Sequence, residues 1–408
     1  METRLFPAGS VRKSLTMLST AVLTTLALTP LAHGADNTDT PTARSSGGEP
    51  SAASRTAQEC GSGSFDAEVV VDGGTWTARN GSETVHTGPN MRAAIQAAMD
   101  SLTAGRQSKE RVVVRGSGSM SADNSLEMPS HTALDVCGTI DVTGTDSTGN
   151  NAVVHGRHVT GVEIQHLNVT GSPSYGVFFR SGSDIHLGQI DLRLSGGLGV
   201  RIDNHANRDE PTTDVRIDDV YVSGTSNHGV ETYGVDGLTI GTVVARDVAY
   251  SGLLLNDTTN ATVGTVDAEN AGSGTGYAAF RMANRNGRVD GAYPTNVHVG
   301  EVIARGGGRG VFCVSESGGA VIDNVDIANT GSNAILVENC YNVEIASEGG
   351  QVTGPGTVRI AARSDFPVTR DVTLHNLTVT DSEIVESPCG ENITIANNTL
   401  NNTPRDVC

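Results

Sequence analysis

A short phrase that recurs through the C-terminal two thirds of the chain is the feature that most restricts its fold. In each copy a small residue, usually Gly, precedes an apolar residue and a short apolar-polar-apolar run. The copies begin at Gly176, Gly199, Gly229, Gly252, Gly310 and Ala334. Successive starts lie 23, 30, 23, 58 and 24 residues apart, and a longer copy beginning at Tyr277 fills the interval of 58. A period of this size is typical of one coil of a solenoid.

Two further phrases recur between the copies of the first. Both are apolar-polar-apolar triplets, as at 162–164, 185–187 and 215–217 for one phrase and at 190–192 and 220–222 for the other. Gly, Asn, Asp and Ser bound these triplets, which is typical of short strands. We therefore predict an all-β protein, a right-handed parallel β-helix of about ten coils with three strands in each, because a coil buries its apolar face only when neighbours stack on it.

The segment 90–102 has the clearest helical pattern in the chain. Its apolar residues recur at helical spacing, at Met91, Ala94, Ile95, Ala98, Met99 and Leu102. The 50 glycines argue against a mainly helical protein, because Gly weakens helices. Since the open end of a β-helix exposes unpaired backbone groups, we predict that this single helix covers the N-terminal end of the coils.

The N-terminus has the layout of a secretory signal peptide. Arg4, Arg12 and Lys13 precede an apolar stretch from Leu15 to Leu31, and the small-residue sequence Ala-His-Gly follows it. A membrane anchor is the alternative, but Ser and Thr interrupt the stretch and no basic stop signal follows. We predict that residues 1–34 are removed and that the protein is secreted, extracellular and free of the membrane.

Composition divides the remainder of the chain. Residues 35–59 are rich in Ser, Thr, Gly, Ala and Pro and lack apolar periodicity, so they are predicted to form a flexible linker. Residues 60–408 are predicted to form one β-helix domain. The formal net charge of -19 and the absence of a basic run exclude a nucleic-acid partner, because binding phosphates requires clustered Lys and Arg.

All six cysteines lie in the part predicted to be exported. An even number in such a protein suggests disulfides, although six cysteines allow 15 pairings and the sequence does not choose among them. Our working assignment pairs Cys60 with Cys137, Cys313 with Cys340, and Cys389 with Cys408. Free buried thiols are the alternative. Zinc binding is disfavoured because no Cys-x-x-Cys spacing occurs.

With its coil pattern and N-terminal helix, the segment from about residue 88 to 408 resembles the pectate-lyase-like superfamily of secreted parallel β-helix proteins. The superfamily consists mostly of extracellular polysaccharide lyases and glycoside hydrolases, with some epimerases and binding proteins. The resemblance implies a polysaccharide partner. It implies no residue roles, because the chain matches the polygalacturonase motifs only in part, at 227–229 and 359–361.

Aligning the copies of the first phrase predicts which side chains leave the coil, because strand side chains alternate between inside and outside. One outward column reads Arg180, Asp203, Tyr233, Asn256 and Arg281. The other reads Phe178, Arg201, Glu231, Leu254 and Ala279. This alignment sets Tyr277 level with Gly229. We chose it over the alternative that buries Arg281 without a partner, since an unpaired buried charge costs several kcal/mol.

These columns and the turn before them predict one groove across several coils. The candidate catalytic residues are Asp203, His228, Glu231, Tyr233 and Arg281, and the candidate substrate-binding residues are Arg201, Asn256, Tyr277, Arg309 and Glu316. The strand spacing of about 4.8 Å matches the rise of a sugar residue in an extended glycan. The alternative is a solvated sheet face with structural ion pairs.

Three functions fit this groove. A lyase acting by β-elimination on a uronate-containing, pectin-like polysaccharide would use Arg281 and Arg309 to neutralise the carboxylate, Tyr233 or His228 as base and Tyr277 as acid. A glycoside hydrolase would use Asp203 and Glu231 as its paired carboxylates. The third is a non-catalytic glycan-binding protein. We favour the lyase over the hydrolase, because the densest group of arginines in this acidic chain lies between 281 and 309.

Calcium is the one cofactor considered. Its oxygen ligands would come from Asp203, Glu231 or Asn256. Acidic residues scattered over turns more often serve solvation, so no metal ligand is assigned.

Overall fold

The computed structural model describes residues 59–408 except 206 and 208. The predicted signal peptide and nearly all of the predicted linker therefore lie outside the described residues. The described part contains no helix that is both long and apolar enough to cross a membrane.

The described chain begins with three short antiparallel strands and one helix, and the coils follow. In chain order the first elements are β1 Ala67–Asp72, β2 Thr75–Asn80, β3 Glu83–Gly88, α1 Met91–Asp100, β4 Glu110–Arg115, β5 Gly118–Ser121, β6 Leu126–Glu127, β7 Thr132–Thr143, β8 Ala152–Arg157 and β9 Thr160–Gly171. The middle coils contain β10 Tyr175–Arg180, β11 Ser183–Leu194, β12 Leu198–Asp203, β13 Thr212–Ser223, β14 Val230–Tyr233, β15 Val235–Arg246, β16 Leu253–Asn256, β17 Thr259–Glu269, β18 Phe280–Ala283 and β19 Val297–Arg305. The last coils contain β20 Val311–Ala328, β21 Asn333–Thr353, β22 Thr357–Ala361, β23 Arg370–His375, β24 Leu377–Thr380, β25 Ile384–Glu386, β26 Glu391–Ala396, β27 Thr399–Asn401 and β28 Arg405–Asp406.

These strands form the predicted right-handed parallel β-helix, with about 13 coils rather than ten. The difference arises at the two ends. Five strands outside the clearest repeats pair in the same ladder but lack the Gly-apolar phrase of the middle coils. They are β6 and β8 before the repeats and β22, β25 and β28 after them.

One face of the solenoid, here called the groove sheet, carries the first sequence phrase. It consists of β6, β8, β10, β12, β14, β16, β18, the first residues of β20 and β21, β22, β25 and β28, each parallel to the next. The second and third phrases are joined in strands such as β11 and β13, which continue around a bend. They were predicted as separate strands, but the turn between them is too short to interrupt the hydrogen-bond ladder.

Apolar side chains from every coil stack into one continuous interior. At one level of the groove sheet the inward residues are Val154, Val177, Val200, Val230, Leu253, Phe280, Val311 and Ile335, all at most 1% exposed. The Gly before this level has a steric role. A Cβ on Gly229 would lie 2.7 Å from the carbonyl oxygen of Gly252 and 2.8 Å from Val222, so larger side chains do not fit this corner.

Helix α1 covers the N-terminal end of the stack, as predicted. Asn90 caps it, its side chain accepting a hydrogen bond from the backbone N–H of Ala93 at 2.9 Å. The buried face of the helix packs on β1 to β6. The antiparallel strands β1, β2 and β3 were not anticipated, because no repeat marks them.

The three disulfides form with the assigned pairing. Cys60 is bonded to Cys137, Cys313 to Cys340, and Cys389 to Cys408. The second lies under the groove sheet and joins consecutive coils, while the third ties the C-terminus to the last coils.

Candidate functional site

The register through the long coil differs from the predicted one by two residues. Phe280 pairs with Leu253, so Arg281 lies level with Leu254 and Glu231, and Ala283 lies level with Asn256. Arg281 still points outward, because a shift of two residues keeps every side chain on its face. The prediction that placed Ala279 in the column of Glu231, and Arg281 in that of Asp203, is therefore wrong.

A chain of hydrogen bonds runs across the groove sheet from β10 to the turn after β18. Arg180 donates from Nε and Nη2 to the two carboxylate oxygens of Asp203, at 2.5 and 2.8 Å, and Arg201 donates from Nε to Asp203 at 2.7 Å. Arg201 Nη1 also donates to Glu231 Oε2 at 3.1 Å. On its other side Glu231 Oε1 accepts from Asn256 Nδ2 at 3.1 Å. The chain ends where Asn284 donates to Asn256 at 2.9 Å.

The two carboxylates of this chain have opposite properties. Asp203 is fully buried, which opposes ionisation, but its hydrogen bonds with Arg180 and Arg201 outweigh burial and hold its pKa below the ordinary value. Burial raises the pKa of Glu231, against the nearby charge of Arg201. Asp203 is thus a committed ion-pair partner, whereas Glu231 is the more basic carboxylate.

His228 is held as a neutral ring. Its Nδ1 accepts a hydrogen bond from the backbone N–H of Ser251 at 3.0 Å, which leaves the ring hydrogen on Nε2. Burial, together with the charges of Arg281 and Arg201, lowers the pKa of His228 to about 3. With its accepting nitrogen already engaged, His228 is suited to donate a hydrogen bond rather than to act as the base first considered.

Two tyrosines stack beside His228. The rings of Tyr250 and Tyr277 lie 3.9 Å apart between centroids with an interplanar angle of 13°, and His228 meets them edge-on at 5.3 and 5.6 Å. Burial and a hydrogen bond with Tyr250 raise the pKa of Tyr277, so its hydroxyl keeps its proton. Tyr250 was missed. It lies two residues before Gly252, as Tyr277 lies two before Ala279, so the correct register would have revealed the pair.

Arg281 is a partly buried cation that makes no direct ion pair within the described residues, and Glu231, two strands away, is the carboxylate whose charge it feels. No described residue forms a hydrogen bond or ion pair with its side chain, and its Nε is buried without a partner. Its guanidinium carbon lies 5.7 Å from the ring centroid of Tyr277 and 5.3 Å from that of Phe312. Burial lowers the pKa of this guanidinium, which nevertheless stays charged because arginine is effectively always protonated in proteins.

Arg309 differs from Arg281 in being fully engaged. It donates to the carbonyl oxygen of Thr275 and, from Nε at 3.0 Å, to Asn333, and it lies over Phe312 with only 6% of its surface exposed. It therefore fixes the turn beside the groove and is a poor candidate for direct substrate contact.

A cavity of about 410 Å³ opens at the end of the hydrogen-bond chain, next to Asn284. Its lining residues are Tyr233, Asp257, Asn284, Arg285, Ser315, Glu316 and Phe366. The structure thus brings the predicted residues Tyr233 and Glu316 together. Arg285 and Glu316 form an exposed ion pair at 3.4 Å across it. Arg285, Ser315 and Glu316 have φ angles of 68°, 59° and 58°, a left-handed conformation that non-Gly residues also adopt in other turns of this solenoid.

The charged residues of the groove do not suit calcium. Asp203 faces the guanidinium groups of Arg180 and Arg201, and Glu231 faces that of Arg201, so a divalent cation would have to displace arginines. A second group of possible ligand atoms, from Cys60, Asp135 and His166, is also unsuitable. Cys60 is in a disulfide, and Asp135 is paired with Arg111 and His166.

The fold and the site together define a right-handed parallel β-helix protein with a polar and aromatic groove on one sheet. No family model matches the chain, and neither does any curated protein. Among solved structures, it is similar to two A-modules of mannuronan C-5 epimerases from Azotobacter vinelandii. For AlgE6 the identity is 14%, with 77% of this chain and 94% of that chain covered and a TM-score of 0.46. For AlgE4 the identity is 18%, with 78% of this chain and 93% of that chain covered and a TM-score of 0.45.

A third similar structure is the tailspike protein of E. coli bacteriophage HK620 in complex with a pentasaccharide. The identity is 12%, the alignment covers 78% of this chain and 62% of that chain, and the TM-score is 0.35. These neighbours are right-handed parallel β-helix proteins, and the likeness concerns that architecture.

Proposed function

We propose that the groove sheet binds an acidic, uronate-containing polysaccharide and cleaves it by β-elimination. The observation that carries the proposal is the unpaired guanidinium of Arg281, set among Glu231, His228 and Tyr277. A partly buried cation without a counter-ion is costly to maintain. A substrate carboxylate would supply the missing partner through paired, charge-assisted hydrogen bonds. The predicted export signal supports an extracellular substrate, and we propose that the protein is secreted.

Arg281 would perform the electrostatic part of the reaction. Removing the proton from the carbon that bears the carboxylate moves negative charge onto the carboxylate oxygens. A fixed guanidinium stabilises that charge better than water does, because it need not reorient during the reaction. Leu254, level with Arg281 and 3% exposed, forms an apolar floor between Arg281 and Glu231.

Glu231 and Tyr277 would move the protons. Glu231, whose pKa burial raises, takes the proton from the carbon next to the carboxylate. The electron pair of that C–H bond forms a double bond to the neighbouring carbon, and the bond from that carbon to the glycosidic oxygen breaks. Tyr277, protonated because its pKa is raised, gives its proton to the leaving oxygen. Tyr233 is the second candidate for the base.

Hydrolysis by paired carboxylates receives less support from the geometry. Asp203 uses both carboxylate oxygens to hold Arg180 and Arg201 and is fully buried. A hydrolase would need it to meet water or the glycosidic oxygen. Glu231 is less tightly held, with one hydrogen bond from each of Arg201 and Asn256 and 9% of its surface exposed, so Asp203 is the less available member of the pair proposed from the sequence.

The test is a panel of uronate-containing and neutral polysaccharides, with ultraviolet absorbance and new reducing ends followed in parallel. β-Elimination gives both signals together, and the Glu231→Gln and Tyr277→Phe variants lose both while Tyr221→Phe, on another face, keeps them. Reducing ends without absorbance would overturn the proposal in favour of hydrolysis. Hydrogen exchange from D2O at the carbon beside the carboxylate, without cleavage, would show that the abstracted proton is only replaced. If no assay gives a signal, the proposed catalysis is overturned in favour of a non-catalytic glycan-binding protein.

A further inference from the structure

A second cluster of guanidinium groups lies on the groove sheet, several strands N-terminal to Arg281. At its centre Phe178 points outward and is nevertheless only 2% exposed. The guanidinium carbons of Arg180, Arg157 and Arg201 lie 4.8, 5.5 and 5.9 Å from its ring centroid. The ring of Tyr175 packs on it at 4.8 Å. Cation–π contacts thus hold three arginines at the surface of one aromatic ring.

The two carboxylates that contact these arginines pair with only two of the three. Asp203 is shared by Arg180 and Arg201, and Glu231 contacts only Arg201. Arg157 is exposed and has no acidic partner in the described chain.

A side-chain hydrogen bond to His155 orients the guanidinium of Arg157. Its Nε donates to His155 Nε2 at 3.1 Å, while His155 Nδ1 faces the carboxylate of Glu127 at 2.9 Å. The terminal nitrogens of Arg157 are left for an anion from solution, and a planar guanidinium matches a carboxylate in shape.

The cluster and Arg281 lie on the same face of the groove sheet, in adjacent outward columns. Arg157 is level with Arg180 and Asp203, and its column continues through Tyr233 and Asn256 to Ala283, two residues after Arg281 on β18. Five strand steps at about 4.8 Å each separate the two sites by about 24 Å. One strand step is close to the rise of one sugar residue in an extended glycan.

We propose that Arg157, supported by Arg180 and Phe178, is a distal subsite for a carboxylate of the same chain that Arg281 engages, about five sugar residues away. This proposal rests on the proposed function, because it assumes that Arg281 binds another carboxylate of the same glycan. The substrate is therefore a polyuronate long enough to reach both arginines.

The test compares Arg157→Gln with Arg79→Gln, an exposed arginine of β2 that has no partner in the described chain. The probes are oligogalacturonates and oligomannuronates from dimers to octamers, with binding measured by calorimetry and cleavage by absorbance. For hexamers and longer chains, Arg157→Gln should weaken binding about tenfold, which corresponds to about 1.4 kcal/mol. Dimers and trimers should bind as they do to wild type, and Arg79→Gln should change neither class.

The outcomes separate the two proposals. If Arg157→Gln weakens the binding of long chains only, and wild type cleaves none of them, the subsite is supported and the lyase is overturned. Cleavage that Arg281→Gln abolishes, with Arg157→Gln unchanged at every length, would keep the lyase and overturn the subsite. Equal loss for short and long chains would also overturn it, since Arg157 would then act at one place only. No binding by wild type at any length would overturn both.

Discussion

Tyr250 and Tyr277 come from consecutive coils and stack with ring centroids 3.9 Å apart. Both occupy the same place in their coils, two residues before the small residue that opens the groove-sheet strand. Their separation follows from the fold, because consecutive coils of a β-helix are one strand spacing apart. Tyr277 also lies beside Arg281, whose guanidinium carbon is 5.7 Å from its ring centroid.

The first prediction concerns this pair. Tyr250→Phe removes the hydrogen bond that helps to raise the pKa of Tyr277, so the alkaline limb of the kcat profile should move to lower pH. Tyr277→Phe removes the proposed acid, and kcat should fall by roughly 10²- to 10⁴-fold with little change in KM. pH–rate profiles measure both effects. Unchanged kcat in Tyr277→Phe would remove this residue from the mechanism.

Arg281 should show opposite effects on activity and stability. Arg281→Gln removes a partly buried charge that has no partner, so its midpoint of thermal unfolding should equal or exceed that of wild type. Its kcat/KM on the cleaved polyuronate should fall by roughly 10²- to 10³-fold. Arg79→Gln is the control for loss of an arginine as such. A destabilised Arg281→Gln variant would contradict the view that Arg281 waits for a substrate carboxylate.

Asp203 should matter for stability rather than chemistry. Asp203→Asn leaves Arg180 and Arg201 without their shared counter-ion, and breaking a buried pair of this kind costs about 3–5 kcal/mol. Denaturant unfolding measures the loss. The exposed pair of Asp191 and Arg193, 3.0 Å apart, is the control, and Asp191→Asn should have little effect. An Asp203→Asn protein of wild-type stability without activity would restore Asp203 to the catalytic residues.

The acid side of the stability profile should also depend on Asp203. Because its pKa is lower in the folded protein than in the unfolded chain, its ion pairs stabilise the fold above the unfolded value of about 3.9. That contribution is lost as pH falls through the lower, folded value. The Asp203→Asn protein should therefore lose less stability than wild type over this range.

His186 should make stability depend on pH near neutrality. A hydrogen bond with Glu163 raises its pKa, against burial, and Asp218 adds to the effect, with Nε2 2.9 Å from a carboxylate oxygen. Its stabilising contribution is complete below the unfolded value of about 6.5 and is lost as pH rises through the higher, folded value. His186→Gln should flatten this dependence in urea titrations. His298→Gln, exposed and in the same column, should leave it unchanged.

Most of the fold was predictable because its signal is local and repeated. The Gly before Val230 marks a corner where larger side chains clash, and the alternation that follows assigns Val230 inward and Glu231 outward. Such patterns need only neighbouring residues. The strands β1 to β3 were missed because they occur once, so no periodicity identifies them.

The candidate site was predictable as a set of residues but not as a set of roles. Asp203 and Glu231 look alike in the sequence, yet one is held by two guanidinium groups and the other is the more basic. Arg281 and Arg309 also look alike. Within the described residues the side chain of Arg281 has no hydrogen-bond partner, whereas that of Arg309 is engaged by Thr275 and Asn333.

The sequence by itself determined the coil, its apolar interior and the face on which the polar residues lie, because these depend on side-chain alternation along single strands. Only the tertiary structure decided which residues of different coils are level with one another. The long turn before Phe280 allows registers that differ by two residues and bury the same side chains, so hydrophobic burial does not distinguish them. The register places Arg281 over Leu254 and stacks Tyr250 on Tyr277, and it thereby sets the chemistry that the groove can perform.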